Sequence, residues 1–303
     1  MGGIRGFWPL LLILAATWGA SYLFIKVAVE DIDPAPLMAA RLLIAAAVLL
    51  GYLVVSTGLG VAVAELRDAW RAVLVLGLLN AALPYWLIAW GEQHVDSSVA
   101  AIAQSTVPIF NLVIALRFLP SERVTATRVT GLALGILGVV VLAGLNPVGG
   151  WWAAAGTFAV VLASIAYGGA GVYGQLRVRT VRGPVLAAGS MLVGGLVLLP
   201  FGLVQMPSQR PDAEAIASLL ALALAGTAMA QLVLYRMLRL HGSARVSLTT
   251  YLIPAFALVY GALLLDEPVS LSVLAGLALI LLGVALASGV RLLRRRAAVT
   301  VPG

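Results

Sequence analysis

Ten long apolar stretches dominate this sequence and leave few folds open to it. A bilayer core about 30 Å thick requires about 20 apolar residues per helix. Only 10% of the 303 residues are charged and 62% are hydrophobic, whereas a soluble domain carries about 25% charged residues. The sequence therefore predicts an all-α membrane protein with ten transmembrane helices, at residues 8–29, 35–56, 70–90, 97–119, 125–145, 152–174, 184–205, 214–238, 244–265 and 271–290.

Basic residues are segregated by this arrangement of helices. When the N-terminus is placed in the cytoplasm, 16 of the 19 Lys and Arg residues fall in cytoplasmic segments. Arg210 falls in an outer loop, and Lys26 and Arg41 lie within predicted spans. Because Lys and Arg accumulate on the cytoplasmic side of membrane helices, we expect a multi-pass protein of the inner (plasma) membrane with both termini in the cytoplasm.

The two halves of the chain repeat one another. Pro108 recurs as Pro254 at a spacing of 146 residues, and Glu122 recurs as Glu267 at a spacing of 145. Such self-similarity predicts one structural unit built twice.

Each repeat contains five predicted helices. Because five is an odd number, the second repeat begins on the opposite side of the membrane from the first. We therefore expect residues 1–147 to form a first five-helix repeat, and residues 148–303 to form a second, inverted repeat that ends in a basic cytoplasmic tail. Inverted repeats with a substrate site at their interface are a common plan of secondary transporters. The alternative is an inert or scaffolding bundle, which predicts no central cavity.

Polar side chains within the spans indicate where a cavity would lie, because they are costly in lipid unless they face protein or water. In the first helix, Thr17 and Ser21 are four residues apart, as are Trp18 and Tyr22. Alternatively, the hydroxyls bond the carbonyl four residues earlier and the aromatic rings only pack. We expect the first, third, fourth, sixth, eighth and ninth helices to line the cavity through Thr17, Trp18, Ser21, Tyr22, Asn80, Tyr85, Trp86, Gln104, Asn111, Tyr167, Gln231, Tyr235 and Thr250.

Two cations lie within the predicted spans, near their outer ends. Lys26 and Arg41 are interpreted as attractors for a substrate carboxylate or phosphate. Alternatively, their long side chains extend to lipid headgroups or to the loop carboxylates of Glu30, Asp31 and Asp33.

Prolines and glycines mark helix bends and contacts. Pro108 and Pro254 are candidate hinges between two rocking halves, or simply points of curvature. Small residues at regular spacing predict close packing between helices, and a homodimer surface is the alternative. These glycines are Gly131, Gly135, Gly138, Gly276 and Gly283.

Several kinds of chemistry are excluded by the residues present. The chain has no cysteine, no phosphate-binding GxxxxGK[ST] loop, and only two histidines, His94 and His241, which lie singly at helix ends. We therefore predict no enzyme activity, no cofactor and no metal. The net charge of +7 follows from the cytoplasmic segments, so it does not indicate a nucleic-acid partner.

The sequence resembles the EamA-type transporters of the drug/metabolite transporter superfamily. The resemblance lies in TWGASYLFIK at residues 17–26, in the proline-led second helix with Arg41, and in the two repeated stretches of proline, acidic turn and glycine-rich helix. It implies an exporter of small metabolites or amino acids that alternates between inward-open and outward-open states. Small multidrug members use a glutamate in the first helix for proton coupling, but here no acidic residue precedes Glu30.

We therefore predict a secondary transporter, not driven by ATP, that exports small molecules as a monomer or homodimer in contact with membrane lipid. The alternative is a flippase for lipids or lipid-linked sugars, and a non-transporting scaffold is the third possibility.

Overall fold

The computed structural model describes residues 4–119, 124–143, 150–178 and 180–288, and within these ranges the chain is helical without strands. Eight helices are long and apolar enough to cross a membrane, and two shorter apolar helices follow them. The predicted all-α membrane class is confirmed. In chain order the helices are α1 (Ile4–Ala28), α2 (Pro34–Thr57), α3 (Trp70–Glu92), α4 (Ser97–Phe118), α5 (Ala126–Ala143), α6 (Gly150–Arg177), α7 (Gly183–Val204), α8 (Ala213–His241), α9 (Thr249–Leu264) and α10 (Leu271–Ala287).

Some predicted features fall elsewhere or outside the described residues. Residues 59–68, which lie between the predicted spans 35–56 and 70–90, form a short helix, Leu59–Asp68. The predicted span 244–265 is divided into Ser243–Val246 and α9, after Gly242 adopts a positive φ of 77°. Glu122, the boundary between residues 147 and 148, and the basic tail beyond residue 288 lie outside the described ranges.

Contacts between turns show which helix ends lie together. Lys26 of α1 bonds the carbonyl of Val95 between α3 and α4, and Glu267 between α9 and α10 bonds the backbone at Ser97. We name this side the acidic end, because its turns carry Glu30, Asp31, Asp33, Asp96, Asp212 and Glu267. On the opposite side, which we name the basic end, Arg182 pairs with Glu65 at 2.9 Å; other basic residues there are Arg71, Arg117, Arg128, Arg177, Arg236 and Arg239.

Two helices contain a π-helical segment. In α3 it spans Leu78–Ala82, and in α8 it spans Leu222–Met229. In α3 the segment lies just before Pro84, which has no N–H and cannot make the helical hydrogen bond to the carbonyl four residues earlier. The N–H of Leu83 bonds the carbonyl of Leu78, five residues back. Such segments insert a residue into a helix turn and frequently occur at functional sites.

The two prolines predicted as hinges have different surroundings. The α4 helix is interrupted at Ser105 and Thr106, whose hydroxyls donate to the carbonyls of Ala101 and Ala103 at 3.0 and 2.7 Å, and it resumes at Val107. Pro108 therefore lies in the first turn after a break. Pro254 lies inside the continuous helix α9. Their role as hinges stays a prediction.

Helices α5 and α10 pack through their glycines. A Cβ atom on Gly283 would lie 2.6 Å from both the carbonyl oxygen of Gly131 and the amide nitrogen of Gly135. A Cβ on Gly138 would lie 3.0 Å from the carbonyl oxygen of Gly276. The predicted glycine positions thus meet within one chain, and backbone lies directly against backbone.

We expect Gly283→Ala to destabilise the protein, because the new methyl group would meet backbone atoms that have no room to move. Overpacking of this kind costs about 1–3 kcal/mol. Gly51→Ala is the matched control, since a Cβ there meets nothing within 4 Å and alanine favours the helix by up to about 1 kcal/mol. Thermal unfolding in detergent measures both; equal melting temperatures for the two variants would contradict the packing argument.

Candidate functional site

A cavity of about 540 Å³ lies among eight of the ten helices, α1–α4 and α6–α9. Its volume is within the range of about 300–1,000 Å³ that is usual for small-molecule sites. The helices α5 and α10 contribute no lining residue. The predicted residues that line the cavity are Trp18, Ser21, Tyr22, Asn80, Tyr85, Gln104, Tyr167, Gln231 and Tyr235, together with Arg41.

Four predicted cavity residues do not line it: Thr17, Trp86, Asn111 and Thr250. The carbonyl of Thr17 accepts the hydroxyl of Ser21 at 3.2 Å, which is the alternative bonding given for this helix face. The amide of Asn111 donates to the carbonyl of Gly168 at 3.1 Å and so joins α4 to α6. Trp86 packs against the hydrophobic core.

The π segment explains why Tyr85 lines the cavity, whereas Trp86, which was also predicted to line it, does not. A regular helix places Asn80 on the same face as Pro84, four residues later. The extra residue in the π turn rotates the following segment, so Tyr85 joins Asn80 on the cavity face, and Ile88 follows one turn later. Sequence periodicity alone contains no sign of this shift.

The side chain of Arg41 is buried, with 2% of its surface exposed, and lines the cavity. Its Nε donates to the hydroxyl of Thr227 at 2.9 Å, and the guanidinium lies 4.4 Å from the centre of the Tyr85 ring. The Thr227 hydroxyl in turn donates to the carbonyl of Leu222, five residues back in the π segment, at 2.9 Å. These contacts hold the guanidinium in place on three helices, α2, α3 and α8.

Among the described residues, no carboxylate forms an ion pair with Arg41. A guanidinium has five N–H donors, and the two protein bonds that Arg41 makes, to Thr227 and at 3.9 Å to the sulfur of Met38, leave the others without a protein acceptor. Buried charge is expensive in a membrane unless it is paired or faces a polar cavity. Arg41 therefore presents an unneutralised positive charge to the cavity rather than extending to the headgroups.

The other predicted cation lies elsewhere. The ammonium of Lys26 donates to the carbonyls of Glu92 and Val95, both at 2.8 Å, and Lys26 does not line the cavity. The expected pairing with Glu30 is not the contact that forms. The last carbonyls of a helix lack internal partners and carry the negative end of its dipole, so the end of α3 binds the ammonium.

Glu92 is a buried acidic residue that the sequence analysis missed, because the predicted third span ended at residue 90. In the structure α3 continues to Glu92, whose side chain is 0% exposed. Neither carboxylate oxygen has a hydrogen-bond partner in the described part of the chain. One signal was present: Tyr85, Ile88 and Glu92 follow a spacing of three and four residues, so a longer helix places Glu92 on the same helix face as two cavity residues, although Glu92 itself does not line the cavity.

The cavity is large enough for a small metabolite, and it lies within a bundle of membrane-length helices. A cavity of this kind, lined by aromatic rings and a buried cation, is typical of membrane transport proteins. The chain belongs to the EamA-like transporter family, whose model matches residues 6–144 and 154–289. The resemblance found in the sequence is thereby confirmed, and the protein is a multi-pass membrane transporter.

Individual relatives agree with this family. The chain is 27% identical over 283 residues to an uncharacterized transporter of Archaeoglobus fulgidus, covering 91% of this chain and 96% of the relative. It is 31% identical over 191 residues to the uncharacterized inner membrane transporter YedA of Escherichia coli, covering 62% and 59%. Over 139 residues it is 31% identical to a probable terminal-alkyne amino-acid exporter of Streptantibioticus cattleyicolor, covering 46% and 45%.

The fold is shared with a solved crystal structure. The two chains superpose with a TM-score of 0.66 at 20% sequence identity, and the match covers 93% of this chain and 97% of the other.

We expect Lys26→Met to destabilise the protein, because it leaves the carbonyls of Glu92 and Val95 buried without a donor. An unsatisfied buried acceptor costs about 1–3 kcal/mol. The control is Arg236→Met, a change at an exposed position of the basic end, for which we expect an effect within about 0.5 kcal/mol. The melting temperatures of the two purified variants are compared by thermal unfolding. Equal melting temperatures for Lys26→Met and Arg236→Met would contradict a stabilising role of the contact with α3.

Proposed function

We propose that this protein is a secondary transporter that exports small metabolites bearing a carboxylate or another anionic group, amino acids among them, by alternating access. The observation that carries the proposal is Arg41, a buried cation in the wall of a metabolite-sized cavity that forms no ion pair with any described carboxylate. A non-transporting scaffold predicts no central cavity, so the cavity argues against that alternative.

The proposed architecture is ten transmembrane helices in two inverted repeats, residues 1–147 and 148–303. The family matches two separate segments of similar length, one in each half. The two π segments also occupy equivalent places, in the third helix of each half. In this arrangement the short helices α9 and α10 are the counterparts of α4 and α5, and both termini are cytoplasmic.

The proposed state of the structure is inward-facing. The cavity reaches the basic end, where Val178, Leu186 and Leu238 line it, and basic residues mark the cytoplasmic side. At the acidic end the helices are joined by the bonds of Lys26 to α3 and of Glu267 to the start of α4. Transport would exchange this arrangement for one that is open at the acidic end, with Pro108 and Pro254 as the proposed hinges.

The cavity suits a solute with one anionic end and a less polar body. Its aromatic residues offer flat apolar surfaces and, for a zwitterion, faces that attract an ammonium group. Asn80, Gln104 and Gln231 add amide groups that both donate and accept hydrogen bonds. The Streptantibioticus cattleyicolor relative, named as a probable amino-acid exporter, supports amino acids as the first solutes to test.

The test is transport of a panel of amino acids, organic acids and cationic dyes by the purified protein in lipid vesicles. For an anionic or zwitterionic solute that is transported, we expect Arg41→Gln to raise the dissociation constant about 10- to 150-fold, which corresponds to the loss of a charge-assisted hydrogen bond of about 1.5–3 kcal/mol. Arg41→Lys keeps the charge but not the planar fork, so an intermediate value is expected.

The matched control is Arg210→Gln, at an exposed position of the acidic end, which should transport as the unchanged protein does. Monodispersity on size exclusion shows that the Arg41 variants are folded. Transport of anionic solutes that is unaffected by Arg41→Gln would contradict the proposed site. A fluorescent-lipid translocation assay on the same vesicles tests the flippase alternative.

A further inference from the structure

Glu92 is fully buried and, among the described residues, forms neither a side-chain hydrogen bond nor an ion pair. Its side chain is 0% exposed, and both carboxylate oxygens lack a hydrogen bond within the described residues. Burying an ionised carboxylate costs several kcal/mol unless hydrogen bonds or a close opposite charge compensate it. A neutral carboxylic acid does not incur this cost.

The groups that act electrostatically on Glu92 come from several elements. They are Tyr22 and Lys26 of α1, Arg41 of α2, and Glu267 of the turn between α9 and α10. Asp96, in the turn after α3, interacts with both Lys26 and Glu267.

The two neighbouring cations, Lys26 and Arg41, make their contacts with groups other than the Glu92 carboxylate. The ammonium of Lys26 is bound by two backbone carbonyls, at 2.8 Å each. The guanidinium of Arg41 is held by Thr227 and Tyr85. Since no ion pair within 4 Å joins Glu92 to either cation, neither neutralises its carboxylate directly.

The carboxylate of Glu267 is also committed to a structural contact. It accepts the backbone N–H of Ser97 at 2.6 Å and that of Ser98 at 3.1 Å. These are the first N–H groups of α4, which have no acceptor inside the helix and carry the positive end of its dipole. A Cβ on Gly261 would collide with this carboxylate, so only glycine leaves room for it. Glu267 is thus a fixed anion that fastens the acidic end.

The location of Glu92 relates it to opening of the acidic end. It lies where α1, α3 and the start of α4 meet, beside the bonds that Lys26 makes from α1 to α3. Separation of these helices would break those bonds and admit water to Glu92. Water stabilises the ionised carboxylate, and an ammonium released from its carbonyls can pair with it.

We propose that Glu92 is a proton-binding site whose occupancy is tied to closure of the acidic end. This proposal rests on the alternating-access function proposed above. In the closed arrangement Glu92 is a neutral carboxylic acid. When the acidic end opens, the O–H bond breaks, the proton passes to water on that side, and the carboxylate remains. Closing takes up one proton in the reverse step.

Asp96 is the competing titratable group at the acidic end. Burial raises the pKa of its carboxyl group, Glu267 raises it further, and Lys26 lowers it. Asp96 is half-buried and lies in the turn that follows Glu92. An effect of pH on the acidic end therefore has two sources to separate, Glu92 and Asp96. The variants Glu92→Gln and Asp96→Asn separate them.

The experiment uses the full chain in lipid nanodiscs without any transported solute. The chain contains no cysteine, so Glu30→Cys and Gln93→Cys place two spin labels at exposed positions on either side of the Lys26 contact without further changes. Pulsed electron paramagnetic resonance then gives the ratio of closed to open molecules across pH. For one proton, this ratio is expected to change by up to about tenfold per pH unit, with the closed form favoured at low pH.

We expect Glu92→Gln to remove this pH dependence and Asp96→Asn to retain it. Infrared spectroscopy gives an independent reading, since a protonated carboxylic acid has its own C=O stretching band, which Glu92→Gln should lose and Asp96→Asn should keep. The proposal is overturned if the ratio does not change with pH in the unchanged protein, if Glu92→Gln keeps the slope, or if Asp96→Asn alone abolishes it.

If Glu92→Gln is not monodisperse, Glu92→Asp provides the second variant. A shorter carboxyl group should keep the infrared band and move its titration midpoint, and an unmoved midpoint would also overturn the proposal. Neither measurement involves a solute. Failure of the Arg41 transport test and failure of the Glu92 test are therefore distinguishable.

Discussion

The hydrocarbon core of a bilayer contains no water, so a polar group placed there must find its partner within the protein or in a cavity. In this chain several polar groups find that partner within the protein. Ser21 bonds the carbonyl four residues earlier, Asn111 bonds α6, and Lys26 bonds the end of α3. In the described part of the chain, Arg41 and Glu92 are the two buried charged side chains, and neither forms an ion pair; Arg41 lines the cavity, and Glu92 follows the lining residues Tyr85 and Ile88 on α3. The proposed chemistry of the protein follows from these two exceptions.

Close packing of backbone makes the cavity possible. Helices in lipid are held together by van der Waals contact and hydrogen bonds rather than by the hydrophobic effect. Glycines allow that contact between α5 and α10, which lie outside the cavity, and between α4 and α6, where a Cβ on Gly168 would lie 2.8 Å from the amide nitrogen of Asn111. The polar and aromatic residues of the other helices are thereby left free to line a space instead of filling it.

The helices α3 and α8 both contain a π segment, but the two segments have different roles. In α3 it places Tyr85 in the cavity, whereas in α8 it provides the bond from Thr227 to Leu222 that orients Arg41. Arg41 is the only basic side chain among the described residues that line the cavity, and a single cation gives the proposed solute one preferred orientation.

The sequence by itself determined the membrane class, the helical fold and the family. Hydropathy over about 20 residues depends on local composition, and the family resemblance depends on residues 17–26, Arg41 and the repeated proline and glycine stretches. Nine of the thirteen predicted cavity residues line the cavity, because residues three or four positions apart share a helix face. These features need no knowledge of how the helices pack.

Only the tertiary structure decided what each charged group contacts. Lys26 and Arg41 have the same interpretation in the sequence, yet one binds helix-end carbonyls 66 and 69 residues away and the other faces the cavity. The separation of Tyr85, which lines the cavity, from Trp86, which does not, required the π segment in α3, and the burial of Glu92 required its helix to extend to residue 92. Each depends on contacts between distant helices or on a break in helical periodicity, and a periodic reading of one helix contains neither.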